Sequence, residues 1–319
     1  MRKRIGVGGI AAALAVAAFS ASGAVSGAAA PAGHYGFRDY NVPGAAETLL
    51  VGINDQGVLS GKYYDTAGVG HPFIAVGSVI TTFAVPGAVG VPAVGVPLIG
   101  PINNSGDVTG AYADASGVYH CYLRTPTGHF TYINDPNAGA VPNQDEGTIG
   151  SDINDNNDVV GYYVDSEGVY HGFLYHDGRY TTVDVPGAPD TIVDGVNDLG
   201  VMIGNYYDSA GVSHGFIDFH GFITRFEAPG AGDVSGTGTI PANISNDGVA
   251  IGVYYSTSAP TLNQGWMFKD GKFTALTDPK AGDGPGEGTS PNAIAENGSA
   301  IDGYYWDSAG NLHSFILDL

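Results

Sequence analysis

The chain has 319 residues, 43% hydrophobic and 11% aromatic, with 51 glycines and one cysteine. That is globular composition despite the glycine, and it excludes both a disordered chain and a disulfide-stapled scaffold. Eleven Lys and Arg stand against 32 Asp and Glu, a net charge of −21, so nucleic acid and anionic membranes, which are bound through basic side chains, are excluded as partners.

The first element is a leader. Met1-Arg2-Lys3-Arg4 precedes an Ala/Val/Gly-rich apolar run to about Val25, then small residues with Ala30-Pro31-Ala32 as a cleavage option. A basic start, a short apolar run and a small-residue site predict a secretory signal peptide over residues 1–32. No later stretch is apolar enough to span a bilayer, so the expectation is a secreted protein, extracellular or periplasmic, and not an integral membrane protein. Cys121 stands alone and excludes an internal disulfide.

Residues 33–319 repeat. Gly61, Gly110, Gly161, Gly204, Gly252 and Gly303 are each followed two residues later by Tyr, at 63, 112, 163, 206, 254 and 305. An aromatic then follows at Phe73, Tyr122, Phe173, Phe216, Trp266 and Phe315. In the clearest unit, Ile153-Asn154-Asp155-Asn156-Asn157 ends one strand in a turn that needs positive φ at Asn157, where other units place Gly57 or Gly200. Val159–Asp165 is the second strand, with Gly161 and Tyr163 on one face. His171–Tyr175 is the third, an Asp177-Gly178 hairpin follows, and Tyr180–Val185 is the fourth, stopped by Pro186-Gly187. Four short antiparallel strands per unit and no helical periodicity predict an all-β chain. The glycines are expected to let neighbouring units approach closely, with the tyrosines filling the space between sheets.

Units begin near 53, 102, 153, 196, 244 and 294, a period that suits a propeller blade. The last unit lacks its fourth strand, while Phe37–Ala45 matches Tyr180–Ala188 in register. The reading is a six-bladed β-propeller of four-stranded antiparallel blades, closed by the N-terminal strand, residues 37–45 completing the last blade. A monomer is expected.

The pattern Ile-Asn-Asp-x-Gly, Gly-x-Tyr-x-Asp and His-x-Phe resembles the extracellular HAF repeat. The triplets here are His71-Pro72-Phe73, His120-Cys121-Tyr122, His171-Gly172-Phe173, His214-Gly215-Phe216, Gln264-Gly265-Trp266 and His313-Ser314-Phe315. None carries the family's Ala, and the fifth lacks the His. The resemblance implies export and a propeller-like array; it implies no reaction.

Five Asp–His pairs six residues apart, Asp65/His71, Asp114/His120, Asp165/His171, Asp208/His214 and Asp307/His313, invite a catalytic or metal reading. Their regular repetition favours a structural one, a hydrogen bond pinning each hairpin, because a single active site needs unlike residues converging at one place. Asp152-x-Asn154-x-Asn156-x-Asp158 resembles the start of a calcium loop but lacks its Gly and its Glu. Nucleophile elbows, zinc helices and phosphate loops are absent.

Connectors after the fourth strands differ in length; two are short and four are long. The long ones carry acidic and amide residues expected to wall the mouth of a central channel. The candidate ligand-binding residues are Asp145, Glu146, Asp152, Asp194, Asn243, Asp283 and Asn292, with Asp152 and Asp194 as metal ligands should calcium bind; no cofactor is required. The expected function is a non-enzymatic binding or surface-interaction module for an extracellular ligand, a carbohydrate or a protein. The alternative is a polysaccharide hydrolase or lyase using channel-mouth carboxylates, with or without calcium.

Overall fold

The computed structural model describes residues 35–88, 98–142, 144 and 146–319; the leader segment lies outside them. Among the described residues every regular element is a strand, and no helix is long and apolar enough to cross a membrane. The strands form antiparallel quartets. The first is β2 (Glu47–Ile53), β3 (Leu59–Tyr64), β4 (Gly70–Val76) and β5 (Val79–Thr82). The second is β6 (Leu98–Ile102), β7 (Val108–Ala113), β8 (Tyr119–Arg124) and β9 (Phe130–Ile133). The third is β10 (Gly147–Ile153), β11 (Val159–Val164), β12 (Tyr170–His176) and β13 (Arg179–Val183). The fourth is β14 (Asp190–Val196), β15 (Val201–Tyr207), β16 (Ser213–Phe219) and β17 (Phe222–Phe226). The fifth is β18 (Gly238–Ile244), β19 (Ala250–Ser256), β20 (Ala259–Lys269) and β21 (Lys272–Leu276).

The last three strands, β22 (Gly288–Ile294), β23 (Ala300–Trp306) and β24 (Leu312–Asp318), take their fourth partner from the other end of the chain. Strand β1 (Gly36–Tyr40) pairs antiparallel with β24, Phe37 opposite Leu317 and Tyr40 opposite Ser314. Arg38 clasps Asp318 across this pair at 3.0 Å. Ile316 of β24 then packs with Leu50 and Phe73 of the first quartet and with Val42, which follows β1. The strands assemble into three sheets, none of which closes on itself.

The repeat residues make the core. Phe73, Tyr122, Phe173, Phe216, Trp266 and Phe315 are each 0% exposed. At about 150–250 Å² of buried surface apiece, such rings dominate the apolar burial of short strands. The tyrosine two residues after each repeat glycine reaches toward the preceding quartet, as Tyr206 does among Val160, Val183 and Val185. The glycines themselves serve a different purpose from the one expected. A Cβ on Gly61, Gly161, Gly204, Gly252 or Gly303 would collide with the carbonyl of Leu49, Ile149, Ile192, Ile240 or Ser290 on the innermost strand of the same quartet. The register shifts just after that point in each of these innermost strands, so the glycine accommodates a bulge rather than a neighbouring unit.

Turn chemistry follows the residue types. Asn157 (φ 60°), Gly57 (71°) and Gly200 (73°) occupy the same turn position, and Asp177 (47°) with Gly178 (78°) makes the hairpin turn.

Candidate functional site

The five Asp–His pairs all form, His Nε2 to Asp Oδ2 at 3.0–3.4 Å. Each imidazole also lies against its repeat tyrosine, from 4.8 Å for Tyr305–His313 to 5.2 Å for Tyr112–His120. The other carboxylate oxygen closes the turn, Asp65 accepting from the N–H of Ala67 and Val69. These donors, the Val69 backbone first and His71 next, hold Asp65 below the usual carboxylate range. Each pair braces its own hairpin, and the five lie on separate units.

The asymmetric feature lies between the third and fourth quartets. At three other seams a long connector seals the gap with its backbone: the N–H groups of Tyr119, Ser213 and Asn263 donate to the carbonyls of Glu146, Thr237 and Glu287 at 2.9–3.0 Å. Gly147, Gly238 and Gly288 follow, with φ of 122°, 120° and 97°. A side chain on any of them would strike the strand being sealed. At β14 the connector is short and that position is Asp190. Its Oδ1 accepts the Tyr170 N–H at 3.0 Å, so a side chain replaces the backbone seal.

A hollow of about 530 Å³ opens there, lined by Tyr170, Tyr207, Asp190, Ile192, Pro189 and Asp208, within the 300–1,000 Å³ typical of small-ligand sites. Tyr162 backs Tyr170, with ring centroids 5.6 Å apart. Asp194 shares the face of β14 that carries Asp190 and Ile192, since side chains alternate. One of its oxygens is held by the Asn205 backbone, and burial raises its pKa well above the carboxylate range. Its Oδ2 is out of solvent and meets no hydrogen-bond partner among the described residues. Burial first, then neighbouring groups including Tyr170 and Asp194, push Tyr162 up to about 12. The site therefore presents neutral phenols beside carboxyl groups, able to stack on a ring and bond to hydroxyls.

Of the residues expected from sequence, Asp194 belongs to this region and Asp152 and Asn243 meet each other. Asp152 is buried; its Oδ2 accepts from the Val196 N–H at 2.9 Å and from Asn243 Nδ2 at 3.2 Å, tying β10 to β14 and β18. Burial pushes Asp152 up to about 7. Asn292 donates to the Leu50 carbonyl at 2.7 Å and joins the last quartet to the first. Glu146 is folded under its own loop, accepting the Val141 N–H at 2.6 Å; Glu287 does the same for Gly284 at 2.7 Å. Those carboxylates lock their connectors instead of walling a mouth. Asp283 is exposed, and Asp145 lies outside the described residues. Asp152 and Asp194 are joined by no third ligand: among the described residues no group of three or more His, Cys, Asp or Glu could hold a metal ion.

Sequence reasoning passed over a second constellation, at the turns that end the innermost strands. Asn104 Nδ2 bridges Asp55 (2.9 Å) and Asp155 (2.8 Å). Asp155 N–H donates to Asp198, Asp198 N–H to Asn246, and Asn246 N–H to the Glu296 carbonyl. Asn297 N–H returns to Asp55 at 2.9 Å. Beside this series Asn54, Asn103, Asn154 and Asn197 each donate to a carbonyl of the next turn, at 2.9–3.1 Å. Burial first, then Asp152 and Asp198, push Glu296 up to about 10. The signal was present in the sequence: the residue after each turn's first Asn, Ser or Ala is an acid or an amide in every unit.

No protein-family model and no curated protein sequence matches the chain. Solved structures do. AofleA from Arthrobotrys oligospora is similar at 12% identity over 88% of this chain and 86% of its own, TM-score 0.53. A putative TolB from Agrobacterium tumefaciens is similar at 12% identity over 86% and 91%, TM-score 0.53. An Aleuria aurantia lectin in complex with Fucα1-6GlcNAc follows at 10% identity over 86% and 93%, TM-score 0.49. At such identities the likeness is one of fold, a β-propeller-type all-β architecture.

Proposed function

We propose that this chain is a secreted, non-enzymatic carbohydrate-binding module on a six-bladed β-propeller scaffold, its ligand seated in the hollow of Tyr170, Tyr207, Asp190 and Ile192. The observation that carries the reading is the break in the repeat at β14. The short connector there leaves the Tyr170 N–H to the side chain of Asp190, and the hollow beside it is lined by aromatic rings and carboxyl groups. Sugars present C–H faces that pack on tyrosine and hydroxyls that bond to carboxylates. Closure of the propeller by the N-terminal strand is supported by the β1–β24 pairing, by Ile316 against Leu50 and Phe73, and by Asn297 reaching Asp55. The HAF-repeat resemblance, the leader at residues 1–32 and the acidic surface support export, and the module acts as a monomer.

A panel of immobilised neutral, amino and acidic glycans tests the ligand class. Binding is expected to at least one neutral or amino glycan and to weaken about tenfold in Tyr170→Ala, the scale of a lost aromatic contact. Wild-type levels in that variant remove the hollow from the reading. A second reading, a hydrolase or lyase, rests on Asp194, a carboxyl beside the hollow whose pKa burial raises in the direction a general acid needs. Release of new reducing ends, abolished by Asp194→Asn, would replace the binding module with an enzyme.

A further inference from the structure

The hollow at the β14 connector, the mouth site, is not isolated. It shares Pro189, Tyr207, Asp208 and Ser209 with a second hollow of about 440 Å³ that passes over the short connector Pro186–Pro189. Pro186 in turn borders a third, of about 720 Å³, running along β13 and the β16–β17 hairpin. All three lie on the seam between the third and fourth quartets. The middle wall is fixed by Arg225, whose Nη2 donates to the Pro186 carbonyl at 2.6 Å while its guanidinium lies 5.0 Å from the Tyr206 ring.

The far hollow has an apolar floor of Leu174, Met202 and Ile223 and a polar rim of Asp158, His176, Asp218 and His220. The pair Asp158 and His176 breaks the repeat. The positions matching Asp158 in the first, fourth and fifth units are Val58, Val201 and Val249; the second unit keeps the acid as Asp107 but has Thr125 at the position of His176, which the first, fourth and fifth fill with Val76, Phe219 and Lys269. Asp158 and His176 are paired through the imidazole Nδ1, and Asp218 Oδ1 accepts the Gly221 N–H at 2.6 Å. His220 is exposed at φ 53°, in a turn position that the neighbouring units fill with Asp177 and Asp270.

Resting on the carbohydrate reading above, we infer that the three hollows form one trench and that its occupant is a linear, uncharged glycan several residues long rather than a single sugar. Length follows from the shared walls. Absence of charge on the ligand follows from the lining: Asp158, Asp184, Asp190, Asp208 and Asp218 would repel an acidic chain, and the one guanidinium is occupied by Pro186. Asp158, Asp184 and Asp208 are already paired with His176, His171 and His214 instead of being open to a cationic one. Aromatic and aliphatic floors at both ends suit the C–H faces of sugar rings.

Calorimetry with gluco-, manno- and N-acetylglucosamine oligomers of one to six residues, in the cello-, manno- and chito-series, tests this. In the responding series affinity should rise at least about tenfold from monomer to tetramer, as successive subsites fill. His220→Asn, a substitution that suits positive φ, combined with Thr181→Ala, a change in the β13 wall of the far hollow, should flatten that rise while leaving the monomer's affinity and the melting temperature unchanged. A flat series still lost in Tyr170→Ala overturns the trench and leaves the mouth site standing. Silence to every series overturns both. Tighter binding of oligogalacturonate, or of oligolysine in place of any glycan, also overturns the trench.

Discussion

The two ends of the innermost strands contrast. At the turn end the repeat is obeyed, and acids and amides hand hydrogen bonds from one unit to the next until Asn297 reaches Asp55. At the connector end it is broken at β14, leaving a hollow with an unpartnered carboxyl oxygen behind it. The repeated polar residues serve as scaffold, while the hollow is lined by a combination of residues that the other units do not share. The second short connector, which precedes β2, sharpens the point. Glu47, Leu49 and Val51 stand there where Asp190, Ile192 and Asp194 stand in β14, and the tyrosine at 170 is replaced by Leu312. Equal loop length there keeps an acid at the first position, Glu47, but brings neither the aromatic ring of Tyr170 nor the buried acid of Asp194.

The largest effect on the regular side should come from removing residues 34–45. This strips β24 of its partner and Phe73 of its stacked neighbour Tyr40, leaving an open edge. Loss of a cooperative melt, or a drop of at least about 10 °C, is expected in scanning calorimetry; an unchanged melt would sink the closed propeller. Trp266→Ala, which empties the largest fully buried side-chain site, should cost about 3–5 kcal/mol in denaturant unfolding. A cost below 1 kcal/mol would deny the repeat aromatics their place in the core.

The acids at the turn end give a pH signature. Asp152 is raised to about 7 by burial, so the folded state holds its proton longer than the unfolded chain, whose Asp titrates near 4. Its stabilising contribution is complete below pH 4 and is lost as pH rises through about 7, up to about 4 kcal/mol in all. Glu296, raised to about 10, extends the decline to higher pH. Unfolding measured from pH 4 to 9 should show that fall, and Asp152→Asn, which mimics the protonated acid, should flatten its lower half. An identical slope in the variant would place the titration elsewhere.

Asn104→Ala should cost about 1–3 kcal/mol, because it strands Asp55 and Asp155 side by side. The smallest effect on stability belongs to the site: Tyr170→Ala, half-buried, should change unfolding by under about 1 kcal/mol while weakening glycan binding. A mutation severe for both would collapse the distinction between scaffold and site.

The sequence by itself determined the strands, the turns and the unit boundaries, because strand alternation, positive-φ turns and buried aromatics are local requirements repeated six times. It also determined that five Asp–His pairs would be braces, since chemistry does not recur at even intervals. Where acidic residues point was another matter. Glu146 and Asp190 both stand where a connector enters an innermost strand of adjacent units, one residue out of register, yet one folds beneath its loop and the other takes the Tyr170 N–H. That depends on how far a connector must travel to reach the next innermost strand, a distance set only when the sheets have packed. The hollows between the third and fourth quartets are likewise set by tertiary packing, since their walls come from separate units and the side chain of Asp190 takes the Tyr170 N–H that a connector carbonyl takes at other seams.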